Sequence, residues 1–218
     1  MKKCGVLRFP GTNCDFDTWK AVEKSGGKPE WLWHADHFNA KEFEAFLVPG
    51  GFSYGDYLRS GALAARSPAM DSLREANHLG RPILGICNGF QILCEAGLLE
   101  GALIKNAGLR FVDSWSEIKL VNPSSFWAAN IKKDERINLP IAHGDGRYYA
   151  EKDTIKKMQD REQIWWQYVV NPNGSLNDIA GIKNEKGNVG ALMPHPERAL
   201  FAWMGADFGK NFFTALGH

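Results

Sequence analysis

Long apolar runs are missing from this sequence. No stretch approaches the roughly 18 residues that a membrane-spanning helix needs. The apolar run near the start is broken by Arg8 and Pro10 and is too short for a signal-peptide core. Charge of one sign is missing too: 26 Lys and Arg face 25 Asp and Glu, a net of +1, with no basic or acidic block. Neither nucleic acid nor a membrane surface is therefore expected as a partner. Cysteine is scarce, and Cys4, Cys14, Cys87 and Cys94 form neither a CxxC pair nor a zinc spacing, so no metal site is expected. The expected location is the cytoplasm, where thiols stay free. No G-x-x-x-x-G-K-[ST] loop is present, so this chain is not expected to bind ATP. With no repeat, linker or low-complexity stretch, residues 1–218 read as one domain.

What is present is an ordinary globular composition, 44% hydrophobic, with two differently patterned halves. Strands are expected at Cys4–Phe9, Glu30–His34, Ala45–Val48 and Pro82–Ile86. Helices are expected at Asp15–Ser25, near Ala40, from Ala62 to about Leu79, and at Asn88–Ala96. This alternation predicts an α/β fold, a mostly parallel sheet with helices on both faces. Strands with short connections are expected at Leu109–Val121, Leu139–His143, Arg147–Ala150, Gln163–Val169, Ile179–Ile182 and Val189–Met193. They would add antiparallel strands to the same sheet, with a last helix at Asp207–Leu216. Asn171-Pro172-Asn173-Gly174 and Lys186-Gly187-Asn188 mark turns.

The strongest chemical signal is Gly85-Ile86-Cys87-Asn88-Gly89, an apolar strand that turns through G-x-C-x-G into a helix. This is a nucleophile elbow with Cys in place of Ser. It would hold the thiol at the carboxyl edge of the sheet and at a helix N-terminus, which favours thiolate. A cysteine nucleophile needs a base and an orienting acid. His195 ends an apolar strand in Met193-Pro194-His195-Pro196-Glu197, and in extended backbone Glu197 would point to the same side. Val48-Pro49-Gly50-Gly51 follows a strand, and its glycines let backbone amides approach a substrate, with Asn88 N–H as a second oxyanion donor. Cys4 and Cys94 read as core, and Cys14, in a polar loop, stays open. His34 and His37 read as solvated; His78 and His218 fall at a helix end and the chain end.

P-G-G at 49–51, G-x-C-x-G-x-Q at 85–91 and P-H-P-E at 194–197, in that order, resemble the class I (triad) glutamine amidotransferases. The resemblance implies a flavodoxin-like fold, with Cys87 attacking glutamine, His195 as acid and base, Glu197 orienting it, and the amides of Gly51 and Asn88 holding the oxyanion. It also suggests that Gly50, Gln91, His143 and Gly144 help bind glutamine. Pro10-Gly11-Thr12-Asn13-Cys14-Asp15, the run Gly50 to Arg59, Ala142-His143-Gly144-Asp145-Gly146-Arg147 and Asn184 to Asn188 narrow it. They resemble the glutaminase subunits of phosphoribosylformylglycinamidine synthases, with Ser60 and Asp145 as departures outside the triad. That family implies a large synthetase partner carrying ATP and Mg, in many bacteria a third small protein, and a docking or gating role for Phe52–Arg59. The competing readings are another elbow-cysteine hydrolase or chaperone-like protein on the same fold, which needs neither P-H-P-E nor P-G-G, and a non-catalytic relative, which would lack a triad member.

Overall fold

A computed structural model describes residues 1–217; His218 lies outside the described residues. In chain order the elements are β1 (Lys3–Arg8), α1 (Asp15–Lys24), β2 (Lys28–Trp33), β3 (Ala45–Val48), α2 (Pro68–His78), β4 (Ile83–Ile86) and α3 (Asn88–Glu95). They are followed by β5 (Ala102–Ile104), β6 (Val112–Leu120), β7 (Arg136–His143), β8 (Arg147–Tyr149), α4 (Lys152–Asp160), β9 (Ile164–Tyr168), β10 (Ile179–Lys183) and β11 (Val189–Leu192).

Nine of these strands form one sheet in the order β2-β1-β3-β4-β11-β10-β9-β6-β7. The first five are mutually parallel, and the remaining pairings are antiparallel. β3 (AFLV), β4 (ILGI) and β11 (VGAL) are buried at every residue, as strands covered on both faces must be. β7 alternates exposed and buried side chains, the mark of a strand with one wet face. The strand order reverses between β1 and β3. Right-handed crossovers then put α1 and α2 on opposite faces and open a crevice at the carboxyl ends of the strands. The loops after β1 and β3 meet there through a bridge between Thr12 and Gly51.

The α/β sheet follows the sequence pattern, with instructive differences. β11 pairs parallel to β4 rather than joining the antiparallel half, and β5 pairs with β8 in a separate ribbon. The helix expected from Ala62 is a 3-10 turn at Ala64–Arg66 and then α2. Pro68 forces Ser67 into extended backbone (ψ 154°) and itself begins the helix. Near Ala40 there is only a 3-10 turn, capped by the Asn39 side chain. The last expected helix is two 3-10 turns, Phe208–Phe212 and Thr214–Leu216, pinned by buried Phe212, Phe213 and Leu216. α4 has no counterpart in the sequence pattern because only Ile155 and Met158 face inward, too few for a clear period. No helix among the described residues is long and apolar enough to cross a membrane.

α3 lies against β3, β4 and β11, and glycine makes this approach possible. A Cβ on Gly89 would fall inside the contact radius of the Val48 carbonyl oxygen; one on Gly85 would lie 2.6 Å from Leu93 Cδ1. Gly97, just past α3, has φ 69° but open space around it. Gly89→Ala is therefore expected to cost about 3 kcal/mol or more, and Gly97→Ala about 1 kcal/mol. Denaturant midpoints measure both; equal losses would contradict the packing argument.

Candidate active site

Cys87 lies between β4 and α3 with φ 51° and ψ −107°, a sparsely populated conformation for a residue with a side chain. Such a backbone costs about 1–3 kcal/mol and must be held by its surroundings. Gly85 and Gly89 supply the space, and the Cys87 N–H donates to the Leu192 carbonyl of β11 at 2.9 Å. The side chain is buried, with Sγ 3.7 Å from the Ala142 carbonyl of β7.

His195 follows β11. Its N–H donates to the Pro140 carbonyl at 2.8 Å, and Nδ1 lies 2.6 Å from Glu197 Oε1. The carboxylate reaches the ring through a 3-10 turn over Pro196–Arg198 rather than along extended backbone as expected, because Pro196 opens that turn. Neither side chain is open to solvent. The carboxylate fixes the proton on Nδ1, and Nε2 has no partner among the described residues. Burial, the largest influence, pushes the imidazole pKa down. Glu197 and the thiols of Cys87 and Cys14 together outweigh it and hold the ring well above its ordinary value.

Gly50 is where these groups converge. A Cβ there would lie 2.9 Å from His195 Cε1, 3.1 Å from Cys14 Sγ and 3.4 Å from Cys87 Cβ. Only glycine leaves room for these three side chains to converge on this point. Gly51, with φ 148°, packs against Gly11, Thr12 and Asn13.

A cavity of about 130 Å³ opens beside Cys87, with Gly51, Gln91, His143, Gly144 and Asp145 in its wall. The sequence thus anticipated Cys87 and four of its neighbours there. Asn88 is not in the wall: its side chain accepts from Ser53 N–H at 3.1 Å and donates to Gln91 Oε1 at 2.8 Å. Gln91 donates in turn to the Asp145 carbonyl at 2.7 Å. Asp56 and Ser60 complete the acidic side, and burial first, then Asp145, raises the Asp56 carboxyl. Asp56 and Ser60 meet Asp145 here from about 85 residues away in the chain, a convergence that no local spacing reveals. Nor does any spacing reveal Asn106, whose Nδ2 donates to the carbonyls of Arg110 and His143, both at 2.9 Å. Its Oδ1 must therefore accept from His143 Nδ1 at 3.1 Å, which leaves His143 Nε2 as a buried acceptor without a partner among the described residues. Cys14, left open by the sequence, lies beside His195 and accepts from Arg198 Nη2 at 3.1 Å. Cys4 is core, Cys94 is half-buried beside it, and His34 bonds Tyr54 Oη at 2.7 Å instead of being solvated.

An elbow cysteine, a buried His–Glu pair and an adjoining polar cavity define a class, acyl-transferring enzymes of the triad type on an α/β sheet. Residues 1–212 match the family model described as CobB/CobQ-like glutamine amidotransferase domain, and the chain belongs to that family of glutamine-hydrolysing enzymes. Among solved structures it is similar to a chain in "Structure of PurLQS from Thermotoga maritima". The two are 41% identical, with 99% of this chain and 98% of that chain covered and a TM-score of 0.91. A putative GMP synthase protein from Thermoplasma acidophilum shares the fold at 15% identity (99% and 92% covered, TM-score 0.67). So does a glutamine amidotransferase from Thermotoga maritima at 16% identity (91% and 77% covered, TM-score 0.61).

His143 gives the site a pH signature. Burial above all, with help from neighbouring His195, lowers its pKa to about 4. A base depressed in the folded state contributes stability that is full above its unfolded value of about 6.5 and is lost as pH falls through about 4. The expected loss over that window is on the order of 3 kcal/mol. His143→Gln should flatten this acid limb in unfolding measured from pH 7 to pH 4; an unchanged slope would assign the limb to other groups.

Proposed function

We propose that Cys87 is the nucleophile, His195 the acid and base, and Glu197 the orienting carboxylate in hydrolysis of L-glutamine to glutamate and ammonia. The Cys87 thiolate attacks the side-chain amide carbon, and the oxyanion forms against the amides of Gly51 and Asn88. Asn88 opens α3, so its N–H has no intrahelical acceptor. The His195 imidazolium gives its proton to the departing nitrogen, ammonia leaves, and a thioester remains. The neutral ring then takes a proton from water, and the hydroxide releases glutamate. The raised His195 pKa supports an imidazolium poised to give its proton to the departing nitrogen. The unpartnered Nε2 of His143 is suited to accept from an N–H of glutamine, and Gly50, Gln91 and Gly144 shape the pocket around it.

In this reading the chain is the glutaminase subunit of phosphoribosylformylglycinamidine synthase. It passes ammonia to a large synthetase subunit that converts formylglycinamide ribonucleotide to formylglycinamidine ribonucleotide in purine biosynthesis. The carrying observation is the end-to-end similarity, at 41% identity, to a chain of PurLQS. ATP and Mg belong to the synthetase, this chain binds no cofactor of its own, and a third small subunit completes the assembly. The segment Phe52–Arg59 is the docking candidate, with its weight moved to Tyr57 and Leu58, which are strongly exposed. Asp56 faces the cavity, and Arg59 is engaged by Glu95 through two bonds of 2.6 Å.

The test uses the reconstituted complex. Cys87→Ala should abolish glutamine hydrolysis and glutamine-dependent synthesis yet leave ammonia-supported synthesis intact. Glu197→Gln should lower glutamine turnover by roughly 10²- to 10⁴-fold through loss of the imidazole tautomer. Glutamine turnover in Cys87→Ala would sink the mechanism. Ester or peptide cleavage without glutamine turnover would favour the other elbow-cysteine hydrolases.

A further inference from the structure

The mechanism uses one thiol, yet a second thiol stands in the same chamber. Burial raises Cys4 to about 12 and leaves it inert. Cys94 donates to the Glu100 carbonyl at 3.6 Å, away from the site. Cys14 differs from both. Beyond Gly51, next to the glutamine cavity, a second cavity of about 200 Å³ is lined by Asn13, Cys14, Phe52, Cys87, His195 and Arg198, among others. Cys14 Sγ and Cys87 Cβ lie 3.1 and 3.4 Å from the single point a Gly50 Cβ would occupy. The backbone holds this arrangement, because Cys14 N–H donates to the Gly50 carbonyl at 3.2 Å.

The electrostatics also suit a reactive pair. Arg198 donates to Cys14 Sγ at 3.1 Å, and the His195 ring lines the same cavity as both cysteines. A guanidinium and an imidazolium both favour thiolate. Burial works against them at Cys14 and keeps that thiol above its ordinary value. The buried His195 Nε2 has no hydrogen-bond partner among the described residues, which leaves it available to relay protons within this chamber. A divalent cation fits less well: Cys14, His195 and Glu197 offer ligand atoms within 4.8 Å of one another, but the Arg198 guanidinium already occupies the thiol and repels it.

We propose that Cys14 is a resolving thiol for Cys87, so that a hydroperoxide switches the enzyme off reversibly through a Cys14–Cys87 disulfide. The inference rests on the reading of Cys87 as the reactive thiol. The Cys87 thiolate attacks one peroxide oxygen, the O–O bond breaks, and the other oxygen takes the proton of the His195 imidazolium and leaves as water or alcohol. Cys87 is now a sulfenic acid. Cys14, losing its proton to the now neutral His195, attacks the Cys87 sulfur, and the S–O bond breaks as the hydroxide takes that proton and leaves as a second water. Two thiols and one hydroperoxide thus give one disulfide, with the peroxide reduced. Closing the bond removes the nucleophile. It also protects Cys87 from the sulfinic stage, which thiols do not reverse.

The test treats the full-length chain with hydrogen peroxide, removes the peroxide with catalase, and reads peptide masses, free thiols and glutamine hydrolysis before and after dithiothreitol. The wild type should lose two thiols and gain a peptide joining Cys14 to Cys87. Its activity should fall and then return nearly in full on reduction. In Cys14→Ser, and in Cys14→Ala as a check on folding, the same exposure should carry Cys87 to sulfinic acid, and reduction should not restore activity. Sulfinic Cys87 in wild type and variant alike, or a disulfide joining other cysteines, would overturn the proposal. The joined peptide is read by mass alone. If Cys87→Ala kept glutaminase activity, the functional reading would fall without deciding whether the bond forms.

Discussion

The site depends on how closely α3 can approach β3. Gly89 sits against the Val48 carbonyl with no room for a side chain, and Gly85 and Gly50 close the remaining gaps. That approach forces Cys87 into a positive-φ turn and lifts its sulfur to the sheet edge. It is stabilised by what surrounds it: fully buried β3, β4 and β11, with the Cys87 amide tied to Leu192. The strain is local, about 1–3 kcal/mol, and small beside the apolar burial around it. One constraint thus places the thiol, leaves the Asn88 amide free at the helix start, and puts His195 opposite.

The electrostatics build on that placement. The His195–Glu197 pair is buried, and the imidazole holds its proton well above the usual range because Glu197 and nearby thiols outweigh the cost of burial. His143 shows the opposite outcome: a buried imidazole without a carboxylate partner stays neutral, with its tautomer fixed by Asn106. The two rings give the site one proton donor and one acceptor, which suits an amide whose nitrogen must be held first and protonated later.

The parts that were legible in the sequence are local. G-x-C-x-G marked the elbow because close packing permits nothing larger, and P-H-P-E marked the His–Glu pair because two residues of separation suffice for contact. The parallel half was legible through continuous apolar strands with helices between them. What stayed hidden is non-local: Asn106 reaching His143, Cys14 reaching His195 from the other end of the chain, and β11 choosing the parallel edge of β4. α4 stayed hidden because two inward side chains make a weak period, whereas the break before Pro68 is announced by the proline itself. Glu197 was found for a partly wrong reason, since a turn rather than a strand brings it to the ring.

Cys87, rather than its neighbour Cys14, must carry the acyl group for this chemistry to hold. Quenching the enzyme during turnover of glutamine and mapping the covalent adduct by mass tests this directly. A hydroxylamine-sensitive glutamyl thioester on the peptide containing Cys87 is the predicted result. An adduct on Cys14, or turnover with no adduct on any cysteine, would contradict it.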